Sequence, residues 1–161
     1  MATTATADRT EQLVREYVTV LWQDHDFERT PEFVADSVTY SDPTLSKPVS
    51  GPREFAAFLR DTETAFPDFH VTLETVVAED DVAMAEWTFR GTHEGPMNGI
   101  PATGRPVAVR GMSIVRSKDG KIVDDRAYWD MADVRTQLGL DFPAIVGQLP
   151  KLVSRKLAAR R

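Results

Sequence analysis

Hydrophobic positions along the chain change their spacing once, separating a helical first part from a stranded second part. Leu13, Val14, Tyr17, Val18, Leu21 and Trp22 recur at three- and four-residue intervals. Asp8 followed by Glu11 has the spacing of an N-cap with a reciprocal carboxylate at the third helical position. A first helix is predicted over 9–24. Thr30-Pro31 reads as a cap with proline at the first helical position, opening a short second helix that carries Phe33 and Val34 and ends near Ala35. Ser37 to Tyr40 forms a short strand stopped by Asp42-Pro43, and Gly51-Pro52 opens a third helix with Phe55, Phe58, Leu59 and Phe66 on one side, closed by Pro67.

From Phe69 the period becomes two. Phe69, Val71, Leu73, Thr75 and Val77 fall on one face, and Glu79-Asp80-Asp81 turns the chain into a second strand, Val82 to Gly91. The thirteen residues from Glu94 to Pro106 hold six glycines and prolines, which predicts a long loop. Strands Val107 to Arg116 and Lys121 to Asp130 flank the tight-turn sequence Lys118-Asp119-Gly120, and a helix over 131–138 ends at Gly139. Helices first, then strands joined by hairpins, indicate an α+β domain: a curved antiparallel sheet with the helices on one face.

Composition narrows the setting. With 161 residues, 42% of them hydrophobic, the chain fills one core. We expect a disordered tail over 1–8, one domain over 9–140 and a basic amphipathic appendix over 141–161. That appendix carries Ile145, Val146, Leu149, Leu152, Val153 and Leu157, and its last eleven residues hold Lys151, Arg155, Lys156, Arg160 and Arg161 with no acidic residue. It reads as a solvated helix face or a dimer clasp, with contact to an anionic membrane as a remote alternative. The absence of cysteine excludes disulfides, a thiolate nucleophile and a thiolate zinc site. A net charge of −6 argues against a nucleic-acid partner. No signal peptide and no membrane span are expected, and the cytoplasm is the expected location. Apolar residues on both strand parities, such as Val76 beside Val77, predict a homodimer.

Phe66-Pro67-Asp68, then Trp87-Thr88-Phe89-Arg90-Gly91-Thr92-His93-Glu94-Gly95, then Gly99-Ile100-Pro101-Ala102-Thr103-Gly104-Arg105 form an ordered series. Asp119-Gly120-Lys121-Ile122-Val123, Tyr128-Trp129-Asp130 and Gln137-Leu138-Gly139 continue it. Over roughly 10–140 the chain resembles the SnoaL-like polyketide cyclases of the nuclear transport factor 2-like superfamily. The resemblance implies a cone-shaped sheet wrapped by N-terminal helices around an apolar pocket. Ketosteroid isomerases and epoxide hydrolases share that fold, so the fold alone does not settle function. It further implies an intramolecular aldol ring closure on a polyketide-like carbonyl compound, without metal or organic cofactor, with an aspartate near the end of the last strand as acid/base. The matching position is Asp130.

Asp130 is also placed to cap the final helix, since it directly precedes Met131. His93, at a strand end, is a candidate second proton donor or else a structural histidine holding the loop. Tyr128 and Arg126 share strand parity with Asp130, and the three are expected on one side of the sheet unless a bulge intervenes. Where the family commonly has an aromatic residue in this strand, the sequence has Asp124-Asp125-Arg126-Ala127. Trp129 and Trp87 are the first choices for the pocket wall. Asp42 is a candidate rim residue, and Arg110, with Glu86, either pairs or binds a polar substrate group. His25, His70 and His93 show no ligand spacing, so no metal site is expected. Two alternatives stand beside the cyclase reading. One is a non-catalytic dimeric pocket protein, in which Asp130 merely caps a helix around a sequestered apolar ligand. The other is an epoxide hydrolase or isomerase of the same superfamily, with Asp42 or Glu86 in the pocket.

Overall fold

The computed structural model describes residues 2–158; Met1 and residues 159–161, with the basic Arg160 and Arg161, lie outside the described residues. The helical spacing of the first apolar run produces α1 (Ala2–Tyr17), which continues as π-helical turns over Val18–Gln23 and buries Val14, Tyr17, Val18 and Leu21. The helix begins at Ala2, ahead of the predicted start, so Asp8 lies inside it and not at a cap. A 3₁₀ turn over Phe27–Arg29 leads into α2 (Thr30–Phe33). Pro52 lies in the first turn of α3 (Gly51–Ala65), which buries Phe55, Ala56 and Leu59.

Six strands form one curved, unclosed mixed sheet in the order β2-β1-β6-β5-β4-β3. They are β1 (Val34–Ser41), β2 (Val49–Ser50), β3 (His70–Glu79), β4 (Val82–Thr92), β5 (Pro106–Lys118) and β6 (Lys121–Trp129). The α+β class holds. β3 to β6 pair antiparallel as the hairpin signals predict, whereas β1 lies parallel to β6. The chain reaches that position by leaving β1 through β2 and α3 and returning only after three more strands, a route that local turn signals do not encode. The two-residue β2 carries too short a pattern to be read from sequence.

β5 alternates without interruption, with Val107, Val109, Gly111, Ser113 and Val115 buried and the residues between them largely exposed. Register shifts break that regularity in both neighbours of the central pair. One lies between Leu73 and Thr75 of β3, so that Val71 and Val76 are buried while Val77 is 63% exposed. Another lies where Arg116 and Ser117 of β5 meet β6, and beyond it Asp125 and Ala127 are buried while Tyr128 is exposed.

The helices cover the inner face of the sheet, where Tyr17, Leu21, Phe55, Leu59 and Ile122 are almost fully buried. The outer face leaves Val77, Met84, Met112 and Tyr128 half or more exposed. After α4 (Met131–Gln137), a final helix α5 (Ala144–Ala158) exposes Phe142 beside it and Val146, Leu149, Val153 and Leu157 along it. Among the described residues, no helix is long and apolar enough to cross a membrane.

Candidate functional site

The inner faces of β4, β5 and β6, together with α1 and α3, enclose a cavity of about 450 Å³. Trp87 and Phe89 of β4 and Trp129 of β6 form part of its wall, faced by Trp22, Tyr40 and Phe58. Gly111 makes room for this arrangement. It lies opposite Trp87 on one side and Trp129 on the other, and a Cβ on it would run into the six-membered ring of Trp87.

Asp125 is the carboxylate of this cavity. It is 4% exposed, and Tyr17 donates a hydrogen bond from its phenol to Asp125 Oδ2 at 2.9 Å. The other oxygen, Oδ1, is buried with no hydrogen-bond partner among the described residues. Burial pushes Asp125 up to about 6; the Tyr17 and Ser113 hydroxyls hold it down in part, and the charges of Asp124 and Asp42 add to the rise. Burial, reinforced by the Asp125 charge, raises Tyr17 well above the ordinary phenol value, so it remains a protonated donor. Ser113 accepts a hydrogen bond from the Trp87 indole at 3.2 Å.

Asp42 is a second, half-buried carboxylate lining the cavity. Its Oδ1 accepts from the Thr44 amide at 2.6 Å and from the Thr44 hydroxyl, and its Oδ2 accepts from the Tyr40 phenol at 3.2 Å. Tyr40 is likewise raised well above the phenol value, by burial first and then by the charges of Asp42 and Asp125. Asp125 and Asp42 are thus each faced by a phenol that keeps its proton.

Of the residues singled out in the sequence, Trp87, Trp129 and Asp42 line the cavity. Asp130 does not. It is exposed beyond the end of β6, and its Oδ1 accepts from the amides of Ala132 at 2.8 Å and Asp133 at 3.2 Å, which makes it the N-cap of α4. Tyr128 and Arg126 alternate with the inward Asp125, Ala127 and Trp129, so they occupy the outer face. Tyr128 is 52% exposed, and Arg126 sits 2.9 Å from Asp124. Arg110 and Glu86 are exposed and outside the cavity lining. His93 is fully buried but lies off the cavity lining, with Nδ1 3.2 Å from Thr103 Oγ1 and its ring 5.2 Å from Phe66. Its amide donates to Arg105 and its carbonyl accepts from Gly104, which fastens the two ends of the glycine-rich loop together.

Sequence reading missed Asp125, Tyr17 and Tyr40 as site residues. The available signal was parity: Asp125 shares the strand face of Ala127 and Trp129, and a carboxylate in an otherwise apolar register is a site candidate.

A family model described as SnoaL-like polyketide cyclase matches residues 11–138. The chain is 33% identical over 102 residues to the aklanonic acid methyl ester cyclase DnrD of Streptomyces peucetius, a match spanning 62% of this chain and 70% of that one. Among solved structures, a candidate SnoaL-like polyketide cyclase from Jannaschia sp. CCS1 superposes with a TM-score of 0.74 at 22% identity, covering 83% of this chain and 93% of that one. An LEH-like epoxide hydrolase of M. tuberculosis superposes with a TM-score of 0.67 at 20% identity, covering 87% and 96%. These two structural likenesses speak for the fold.

Proposed function

The chain belongs to the SnoaL-like polyketide cyclase family, and from that premise we propose that it closes a ring in a polyketide-like carbonyl compound by acid/base chemistry at Asp125, with no metal or organic cofactor. The observation that carries this reading is a buried carboxylate, pushed up to about 6 by that burial, whose second oxygen has no partner among the described residues and which is set in an aromatic cavity.

A proton flanked by two carbonyls is already acidic, and a partly desolvated carboxylate at about 6 is matched to removing and returning it. In an intramolecular aldol closure Asp125 takes the proton from carbon, the enolate carbon bonds to a second carbonyl carbon, and the new alkoxide receives a proton. Atoms and charge balance without a co-reactant. Tyr17 fixes the carboxylate through Oδ2 and leaves Oδ1 for the substrate. Ser113 lines the same cavity and its hydroxyl is placed for the developing oxyanion, whereas the Tyr40 phenol is committed to Asp42.

DnrD is named for aklanonic acid methyl ester, which makes that ester the first compound to assay. Conversion to a cyclised isomer of unchanged mass by the intact chain, and its loss in Asp125→Asn with the fold retained, is the expected result. Undiminished turnover in Asp125→Asn removes the assignment.

The outward position of Asp130 meets one condition of the non-catalytic pocket alternative; Asp125 supplies the inward carboxylate that sustains the catalytic one. Asp42 in the same cavity as Asp125 favours a second enzymatic reading, in which the two carboxylates position a water for attack on an epoxide. Formation of a diol from a test epoxide, with no ring closure of the ester, supports that version.

A further inference from the structure

The charges around the cavity are all of one sign. Asp125 is buried, Asp42 is half-buried and Asp61 is exposed, and all three belong to the cavity lining. Among the described residues, no lysine, arginine or histidine lines the cavity. Neutral donors face the two inner carboxylates: the Tyr17 and Ser113 hydroxyls act on Asp125, and the Tyr40 phenol with the Thr44 hydroxyl and amide bond Asp42.

A buried acidic group normally has its oxygens satisfied, because an unpaired acceptor loses its hydration on burial. Asp125 Oδ1 has no such partner among the described residues, so it is free to accept from a bound ligand. Nor do the carboxylates gather around a metal ion: among the described residues no group of three or more histidines and carboxylates has that geometry. Trp22, Trp87, Trp129 and Phe58 supply the aromatic surface. Aromatic faces carry a negative quadrupole that attracts cations and repels anions. A ligand ammonium entering here gains both interactions, and a ligand carboxylate meets like charge in a medium of reduced dielectric.

We infer that the cavity selects its ligand by charge: it favours a protonated amine, accepts an uncharged molecule and rejects a carboxylate. The amine would donate to Asp125 Oδ1 with Asp42 as the second acid, and the carboxylates of the lining would concentrate cations there. This inference rests on the same cavity as the proposed function but concerns ligands other than the ring-closure substrate, since an ammonium on Oδ1 occupies the oxygen that would take the proton from carbon; its test needs no turnover.

The probes are naphthalenes bearing one aminomethyl, hydroxymethyl or carboxylate group, titrated calorimetrically into the full chain at neutral pH. The aminomethyl compound is expected to bind about tenfold more tightly than the alcohol, equivalent to about 1.4 kcal/mol, with the carboxylate weakest. Asp125→Asn and, independently, Asp42→Asn should each reduce the ratio of amine to alcohol affinity. Equal affinity for amine and alcohol, a carboxylate that binds as well as the alcohol, or no binding of the amine at millimolar concentration overturns the inference. Loss of ring closure with the charge order intact would count against the catalytic reading alone, and a reversed order with ring closure intact would count against this one alone.

Discussion

Two aspartates five positions apart at the end of the last long strand have opposite surroundings. Asp125 is desolvated and raised to about 6, so in the native state it binds a proton that an unfolded chain, with the ordinary aspartate value of 3.8, has already released. Between those values the native state holds the extra proton, and stability therefore falls as pH rises toward 6 and then levels. By linkage the cost of ionising the buried group is roughly 3 kcal/mol. Asp125→Asn should thus stabilise the fold at pH 7 and above relative to the parent and have little effect at pH 4, as read from denaturant midpoints at the two pH values; an equal shift at both would show that the carboxyl is not titrating in the cavity. Asp130, holding two amides of α4, behaves as a cap: Asp130→Ala should cost about 1 kcal/mol, with affinity for a cavity ligand unchanged, and a loss of that affinity would return Asp130 to the site. The sequence made Asp130 legible as a cap and as the family's matching position. It did not make Asp125 legible, because a single acid between Asp124 and Arg126 looks like part of a solvated run.

At the scale of elements, most boundaries followed from periodicity: α3, both hairpins and α4 appear where apolar spacing and turn residues put them. Arg126 and Tyr128 share a face, as their parity predicts, but it is the outer one, and the inward face was misassigned for a physical reason. Strand side chains alternate with period two, so an uncertainty of one residue reverses every inward and outward assignment. Beyond the β5–β6 register shift, Tyr128 and Arg126 face out and Asp125, Ala127 and Trp129 occupy the inward set. The parallel placement of β1 beside β6 was equally invisible, being fixed by packing between segments far apart in sequence. Gly111 shows how strand register builds the site, since only hydrogen at that position lets Trp87 lie across β5. Gly111→Ala should displace the indole at a cost of about 1–3 kcal/mol and weaken cavity ligands, visible as a shifted tryptophan emission; unchanged emission and affinity would show that the ring has other room.

For the whole molecule, the inner sheet face makes the cavity and the outer face remains to be covered. Val77, Met84, Met112 and Tyr128 form an exposed apolar area across four adjacent strands, as Val77 pairs with Met84 and Met112 with Tyr128. We predict a homodimer through this face: sedimentation at micromolar concentration should show twice the chain mass, and Met112→Glu should shift it toward monomer without loss of helicity. A monomeric parent, or a dimer indifferent to Met112→Glu, excludes that face. The central claim is nonetheless the identity of the acid/base group, and the pH dependence of kcat/KM for ring closure tests it most directly in the parent, Asp125→Asn and Asp130→Asn. The parent and Asp130→Asn should share a profile that rises with pH through a midpoint near 6 to a plateau, while Asp125→Asn should lose that inflection and fall by about 10²–10⁴-fold. An Asp125→Asn enzyme that keeps the inflection and the rate, with the loss appearing in Asp130→Asn instead, would contradict the account.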